Sequence, residues 1–265
     1  MDRMMADNDW LGGTPVTRRR FGVVAGGAFV SFAFGGTCQG SEVRQRDGGR
    51  IAVRPGGAVK TSAAGTRRLA LGGTRDAVLH LPATSSTGRL PLLVLLHGAG
   101  GSGDNILGRF AGLADEAGVA VLAPDSRGST WDVIGGGYGP DVEFLNRALE
   151  RVFESVSVDP PRLAVGGFSD GASYALSIGL INGDLFRRIL AFSPGFVAGG
   201  SPQGKPRVFV SHGTSDRILP VDRCSRMIVP GLEKHGYEVT YREFGGGHTV
   251  PTDIAREGMR WVAAE

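Results

Sequence analysis

Gly167-Phe168-Ser169-Asp170-Gly171 sets a serine between glycines two residues to either side. A hydroxyl is a weak nucleophile at neutral pH and needs a base beside it and a third group to orient that base. Two such partners lie downstream. Ser211-His212-Gly213-Thr214-Ser215-Asp216 follows one apolar run, and Gly245-Gly246-Gly247-His248 follows the next. The order is Ser169, Asp216, His248. Upstream, His97-Gly98-Ala99-Gly100-Gly101 is a glycine-rich loop whose backbone N–H groups could face a developing negative charge. The N–H groups of Ala99 and Asp170 are the expected pair of donors. These residue types suit attack on a carbonyl carbon. A serine after a glycine turn can also simply cap a helix. A phosphate-binding loop is disfavoured, because no Gly-Lys-Ser/Thr ending is present.

The elements around these residues must bring them to one place. Leu92–Leu96, Val119–Ala123, Leu163–Val165, Ile189–Phe192 and Val208–Val210 are unbroken apolar runs, as expected of strands buried on both faces. Val78–Leu81 reads as an earlier strand ending at Pro82. Val239–Phe244 alternates and reads as a strand nearer the sheet edge. Helical segments are expected over 105–117, 141–156, 172–181, 222–235 (kinked or divided at Pro230) and 251–264. Strands alternating with helices predict an α/β chain with a mostly parallel sheet covered by helices on both faces. Ligands of such sheets bind at the carboxyl ends of the strands, which is where all the singled-out residues fall. The stretch from Ser193 to Pro206 is too short for a large cap domain.

The remaining chemistry-bearing residues have plainer readings. His80 lies within a strand, His97 and His212 shape loops, and His235 ends a helix. Asp222 is the second choice of acid, at a helix start where a carboxylate suits the dipole. Cys224 reads as a buried, inert thiol. Trp131 either walls an acyl pocket or anchors its loop. No metal-ligand cluster and no H-E-x-x-H occurs, and no cofactor is expected.

Composition narrows the class. Of 265 residues, 41% are hydrophobic and 21% charged, which excludes a disordered chain and a membrane-embedded one. The 44 glycines cluster between apolar runs, with no collagen period. Residues 1–76 hold twelve Lys/Arg and six Asp/Glu, a net of +6, so the remainder carries −3 of the overall +3. A basic leader on a slightly acidic body does not predict nucleic-acid binding. Within that leader, Thr17-Arg18-Arg19-Arg20-Phe21 precedes the short apolar stretch Gly22–Phe34. This is a twin-arginine export pattern, too short to span a bilayer as a helix. Residues 1–37 are expected to be a signal peptide, 38–58 a flexible linker and 59–265 the catalytic domain. The mature protein would then be periplasmic or extracellular. Cys38 is either the lipidated residue of a lipoprotein box or sits close to an ordinary cleavage point.

G-F-S-D-G, the loop H-G-A-G-G, S-H-G-T-S-D-R-I-L-P-V-D and the ending G-G-G-H-T-V-P together resemble the carboxylesterase/phospholipase group of α/β-hydrolases, which includes the acyl-protein thioesterases. The resemblance covers about residues 75–262. It implies the α/β-hydrolase fold, Ser169 as nucleophile, Asp216 as acid, His248 as base, Ala99 and Asp170 as oxyanion donors, and a small-molecule ester as substrate. The group often has Gln or Ala after the serine, where this chain has Asp170, and a carboxylate there opposes an oxyanion unless it points away. Tyr138–Leu145 and Val158–Arg162 are instead similar to polyhydroxybutyrate-depolymerase-like and feruloyl-type esterases. A non-catalytic binding protein on the same scaffold is the alternative of another class.

Overall fold

The computed structural model describes residues 48–56, 62–83 and 88–265. Eight strands form one sheet: β1 (Gly65–Arg68), β2 (Ala77–Leu81), β3 (Leu90–Leu96), β4 (Ala120–Pro124), β5 (Val158–Phe168), β6 (Arg188–Phe192), β7 (Arg207–Gly213) and β8 (Val239–Phe244). Their spatial order is β1-β2-β4-β3-β5-β6-β7-β8. Pairs from β4 to β8 are parallel, and β1 and β2 add antiparallel at one end. The apolar runs are the central strands. Leu92 to Leu96 in β3 are fully buried, as they must be with helices on both faces.

Five helices cover the sheet: α1 (Gly103–Ala117), α2 (Pro140–Ser155), α3 (Asp170–Ile181), α4 (Ser225–Lys234) and α5 (Thr252–Ala263). α1 and α5 pack on one face, with Phe110, Leu113 and Met259 against Leu93, Leu95, Leu190 and Phe209. α2, α3 and α4 pack on the other, where Phe144, Leu149, Leu176 and Leu232 meet Leu92, Val94, Val165 and Val210. α1 starts at Ser102, whose side chain accepts the Asn105 N–H, and stops at Gly118 in the left-handed conformation. All twelve residues of α3 are buried, so it forms the centre of its layer.

Register places the strand ends together. Leu96 pairs with Gly167, Phe168 with Phe192, Phe192 with Ser211 and Gly213 with Phe244. The loops after β3, β5, β7 and β8 therefore leave one sheet edge side by side. Between β6 and β7 the chain needs only 14 residues, Ser193 to Pro206, and carries no helix there.

Three expectations differ from the structure. Residues 48–54, read as part of the flexible linker, pack onto the body. Ile51 is buried, Asn182 accepts the Ile51 N–H at 2.8 Å and donates to the Gly49 carbonyl at 2.6 Å, and Arg50 and Arg54 both bind Asp184. The segment before α4 divides at Cys224 rather than at Pro230: a 3₁₀ turn (Val221–Arg223) precedes α4, which runs through the proline. Pro230 and Arg226, four residues before it, are exposed, so water can replace the lost bond. β1 was not foreseen. It is an exposed edge strand whose Gly-Thr-Arg-Arg sequence lacks an apolar face.

Candidate functional site

β5 delivers Ser169 at the start of α3. Its backbone has φ 59° and ψ −121°, a region that only three non-glycine residues of the described chain approach with positive φ. Such a posture costs on the order of 1–3 kcal/mol and turns the side chain off the sheet edge. It persists because the surroundings over-determine it. The Ser169 N–H donates to the Phe192 carbonyl at 3.0 Å, and the Ser169 carbonyl accepts from Ala172 and Ser173, each at 3.0 Å. The flanking glycines are required by close approach. A Cβ on Gly167 would lie 2.6 Å from the Leu96 carbonyl oxygen, and one on Gly171 would lie 2.3 Å from the same atom.

His248 Nε2 stands 2.9 Å from Ser169 Oγ, and its Nδ1 stands 2.6 Å from Asp216 Oδ2. The carboxylate can only accept, so Nδ1 carries the proton and Nε2 is left to accept from the serine hydroxyl. The imidazole also lies against the Phe168 ring, centroids 4.7 Å apart. Asp216 is 5% exposed. Burial works against its charge, but donors outweigh it: the Leu219 N–H (2.9 Å), His248 and the Ile218 N–H (2.8 Å) together hold its pKa below the ordinary value. His212, fully buried, approaches the same Oδ2 at 3.3 Å. Its Nε2–H donates to the Leu219 carbonyl at 2.7 Å, which leaves Nδ1 to accept from Ser225 Oγ at 2.7 Å. Burial lowers the His212 pKa and keeps the ring neutral. His212 thus ties down the loop after β7, as the loop-shaping reading expected, and also lies beside Asp216.

On the other side of Ser169 lies the loop after β3. Gly98 is close enough that a Cβ there would sit 3.4 Å from Ser169 Cβ. Among the described residues, no hydrogen bond engages the N–H of Ala99 or that of Asp170. His97 braces this loop: its Nε2 accepts the Ser126 N–H at 3.0 Å, so its Nδ1–H donates to the Gly98 carbonyl at 2.7 Å. Burial holds its pKa below the usual imidazole value. The Asp170 carboxylate accepts from Thr130 Oγ1 at 2.9 Å. Trp131 is 1% exposed, stacks on Tyr174 with centroids 5.1 Å apart, and donates from Nε1 to the His97 carbonyl at 2.8 Å. It stands under the loop as an anchor and has almost no surface to offer a ligand.

The structure keeps other residues away from this cluster. Asp222 is exposed and bonds Arg226 at 2.6 Å. His80 bonds Thr66 and Asp115, and His235 caps α4. Burial pushes the Cys224 thiol up to about 11, so it stays protonated. Cys38 and the signal-peptide reading of 1–37 lie outside the described residues. Among the described residues no group of three His, Cys, Asp or Glu could hold a metal ion, and no helix is long and apolar enough to cross a membrane. Thr130 is a site neighbour that sequence reasoning missed, for only the fold brings it to Asp170.

No protein-family model matches the chain. It is 25% identical over 193 residues to feruloyl esterase C of Emericella nidulans, covering 68% of this chain and 70% of that one. It is 30% identical over 141 residues to the S-formylglutathione hydrolase of Bos taurus, covering 44% of this chain and half of the bovine protein. Among solved structures, acetyl xylan esterase from Aspergillus awamori superposes with a TM-score of 0.60 at 16% identity, over 76% of this chain and all of that one.

Proposed function

Starting from a chain that has the α/β-hydrolase fold and esterases among its relatives, we propose that it is a serine hydrolase cleaving carboxylic esters through an acyl-enzyme. The observation that carries the reading is the unbroken contact from Asp216 through His248 to Ser169, 2.6 and 2.9 Å, at the carboxyl edge of the sheet. In this reading His248 Nε2 takes the Ser169 proton as Oγ attacks the ester carbonyl. Asp216 holds the tautomer and stabilises the imidazolium that forms. The carbonyl oxygen, now negative, is met by the N–H groups of Ala99 and Asp170. Removing one such donor typically costs roughly 3–4 kcal/mol of transition-state stabilisation. His248 then protonates the leaving alcohol, and water repeats the sequence on the acyl-enzyme.

The substrate is a small or medium ester. The short β6–β7 connection leaves the cleft without a large cap, which also supports bulkier esters reaching Ser169. The second reading is a feruloyl or polyester esterase, favoured by the likeness to feruloyl esterase C. A panel of short nitrophenyl esters, methyl ferulate and polyhydroxybutyrate film separates the two by kcat/KM. A fluorophosphonate probe tests the site itself. Labelling of the wild type that disappears in Ser169→Ala supports it. No labelling of the wild type favours a non-catalytic scaffold, and labelling that persists in Ser169→Ala puts the nucleophile elsewhere. The leader pattern at 17–21 supports export, and mass spectrometry of the exported N-terminus separates a lipidated Cys38 from plain cleavage.

A further inference from the structure

Three consecutive residues after β4 each make one hydrogen bond to the loops that flank Ser169. The Ser129 carbonyl accepts the Gly100 N–H at 2.7 Å, Thr130 Oγ1–H donates to Asp170 Oδ2 at 2.9 Å, and Trp131 Nε1–H donates to the His97 carbonyl at 2.8 Å. Two of these bonds bracket Ala99, one on each side of it. The third ends on the side chain of Asp170. Neither the Ala99 N–H nor the Asp170 N–H has an acceptor among the described residues.

We propose that Ser129-Thr130-Trp131 is a clasp that sets the spacing of the two oxyanion donors, with Thr130 as the positioning residue and the Asp170 carboxylate as its handle. This rests on the ester-hydrolase reading of Ser169. The clasp is itself fixed, because Trp131 is buried against Tyr174 in α3, the helix that Asp170 begins. Both donors are therefore referred to one rigid element. The clasp also accounts for an acid directly after the nucleophile. A free carboxylate beside a developing oxyanion repels it, whereas one oxygen held by Thr130 turns the group toward the β4 loop and makes it a tether. Oxyanion donors act only when aimed at the position of the charged oxygen, so a loose tether affects the transition state more than substrate binding.

The experiment compares Thr130→Val, which keeps the shape and removes the hydroxyl, with Thr130→Ser, which keeps the hydroxyl. Steady-state kinetics on a nitrophenyl ester are run with melting curves and fluorophosphonate titration of the full chain. Thr130→Val is expected to lower kcat by about 10- to 100-fold with KM changed less than about twofold, while melting and titratable sites hold. Thr130→Ser should restore kcat. Adding Asp170→Asn to Thr130→Val should not recover the loss, because the tether is still missing although the freed group no longer carries charge. A Thr130→Val enzyme at wild-type kcat overturns the clasp, as does a double variant restored to wild-type kcat, which assigns the loss to charge alone. Failure of the wild type to take the probe at Ser169 overturns the ester-hydrolase reading beneath it, which is a separate result.

Discussion

Gly171→Ala tests the packing that holds Ser169, the proposed nucleophile. A Cβ there falls 2.3 Å from the Leu96 carbonyl oxygen and 2.5 Å from that of His97, whereas contacts below 3.0 Å are essentially never seen. Restoring a 3.0–3.4 Å contact takes about 0.7–1.1 Å of movement between the start of α3 and the end of β3. That movement opens the gap between Asp170 and Ala99. A shift of about 1 Å costs on the order of 100-fold in rate, and overpacking a buried contact costs about 1–3 kcal/mol of stability. The assay is kcat and KM for a short nitrophenyl ester together with denaturant unfolding. Gly108→Ala is the control. It lies inside α1 with nothing within 4 Å of its Cβ, so turnover should hold and stability should rise by up to about 1 kcal/mol. Turnover of Gly171→Ala within twofold of wild type would refute the argument that backbone contact sets this geometry.

Asp216→Asn should lower kcat by about 10⁴-fold, because an amide can donate to Nδ1 and favour the wrong tautomer, while Asp222→Asn should leave kcat unchanged, since that carboxylate reaches only Arg226. Asn182→Leu should cost about 2–4 kcal/mol in a denaturant melt, because it leaves the buried Ile51 N–H and the Gly49 carbonyl without partners, and limited proteolysis near Arg50 should speed up. Stability should fall in two acid windows. Burial lowers the His97 and His212 pKa values below 6.5, so the unfolded chain binds more protons and stability is lost as pH drops below that value. Asp216, depressed below 3.8, adds stability that persists above that pH and is lost as pH falls further. Unfolding at pH 7, 5.5 and 3 measures both windows, and a His212→Gln variant whose pH 7 to 5.5 slope matches wild type contradicts the first.

The parts of the fold legible in sequence are those with uniform surroundings. β3, β4 and β6 are buried on both faces, so composition alone marks them, and register then carries Ser169, Asp216 and His248 to one edge. The elements missed depend on distant partners. Residues 48–54 have a tether-like composition, yet Asn146 and Asn182, roughly 90 to 130 positions away, satisfy their backbone. Thr130 is likewise an ordinary loop residue until α3 brings Asp170 beside it. Trp131 shows the limit of reading a large aromatic near a site, since its indole could equally line a cleft or fill the space below one, and Tyr174 stacked against it decides the matter.

Under the role proposed for Ser169, its backbone posture sets endurance against activity at a single position. Relieving it means giving up the hydroxyl, because only glycine sits comfortably at φ 59° with that ψ. Both Ser169→Gly and Ser169→Ala lose the same hydroxyl, yet the glycine variant should unfold about 1 kcal/mol harder, a difference read directly from paired melts. A laboratory selection for heat resistance alone would thus drift toward a sturdier chain with a dead centre, and it must be coupled to turnover to avoid that outcome.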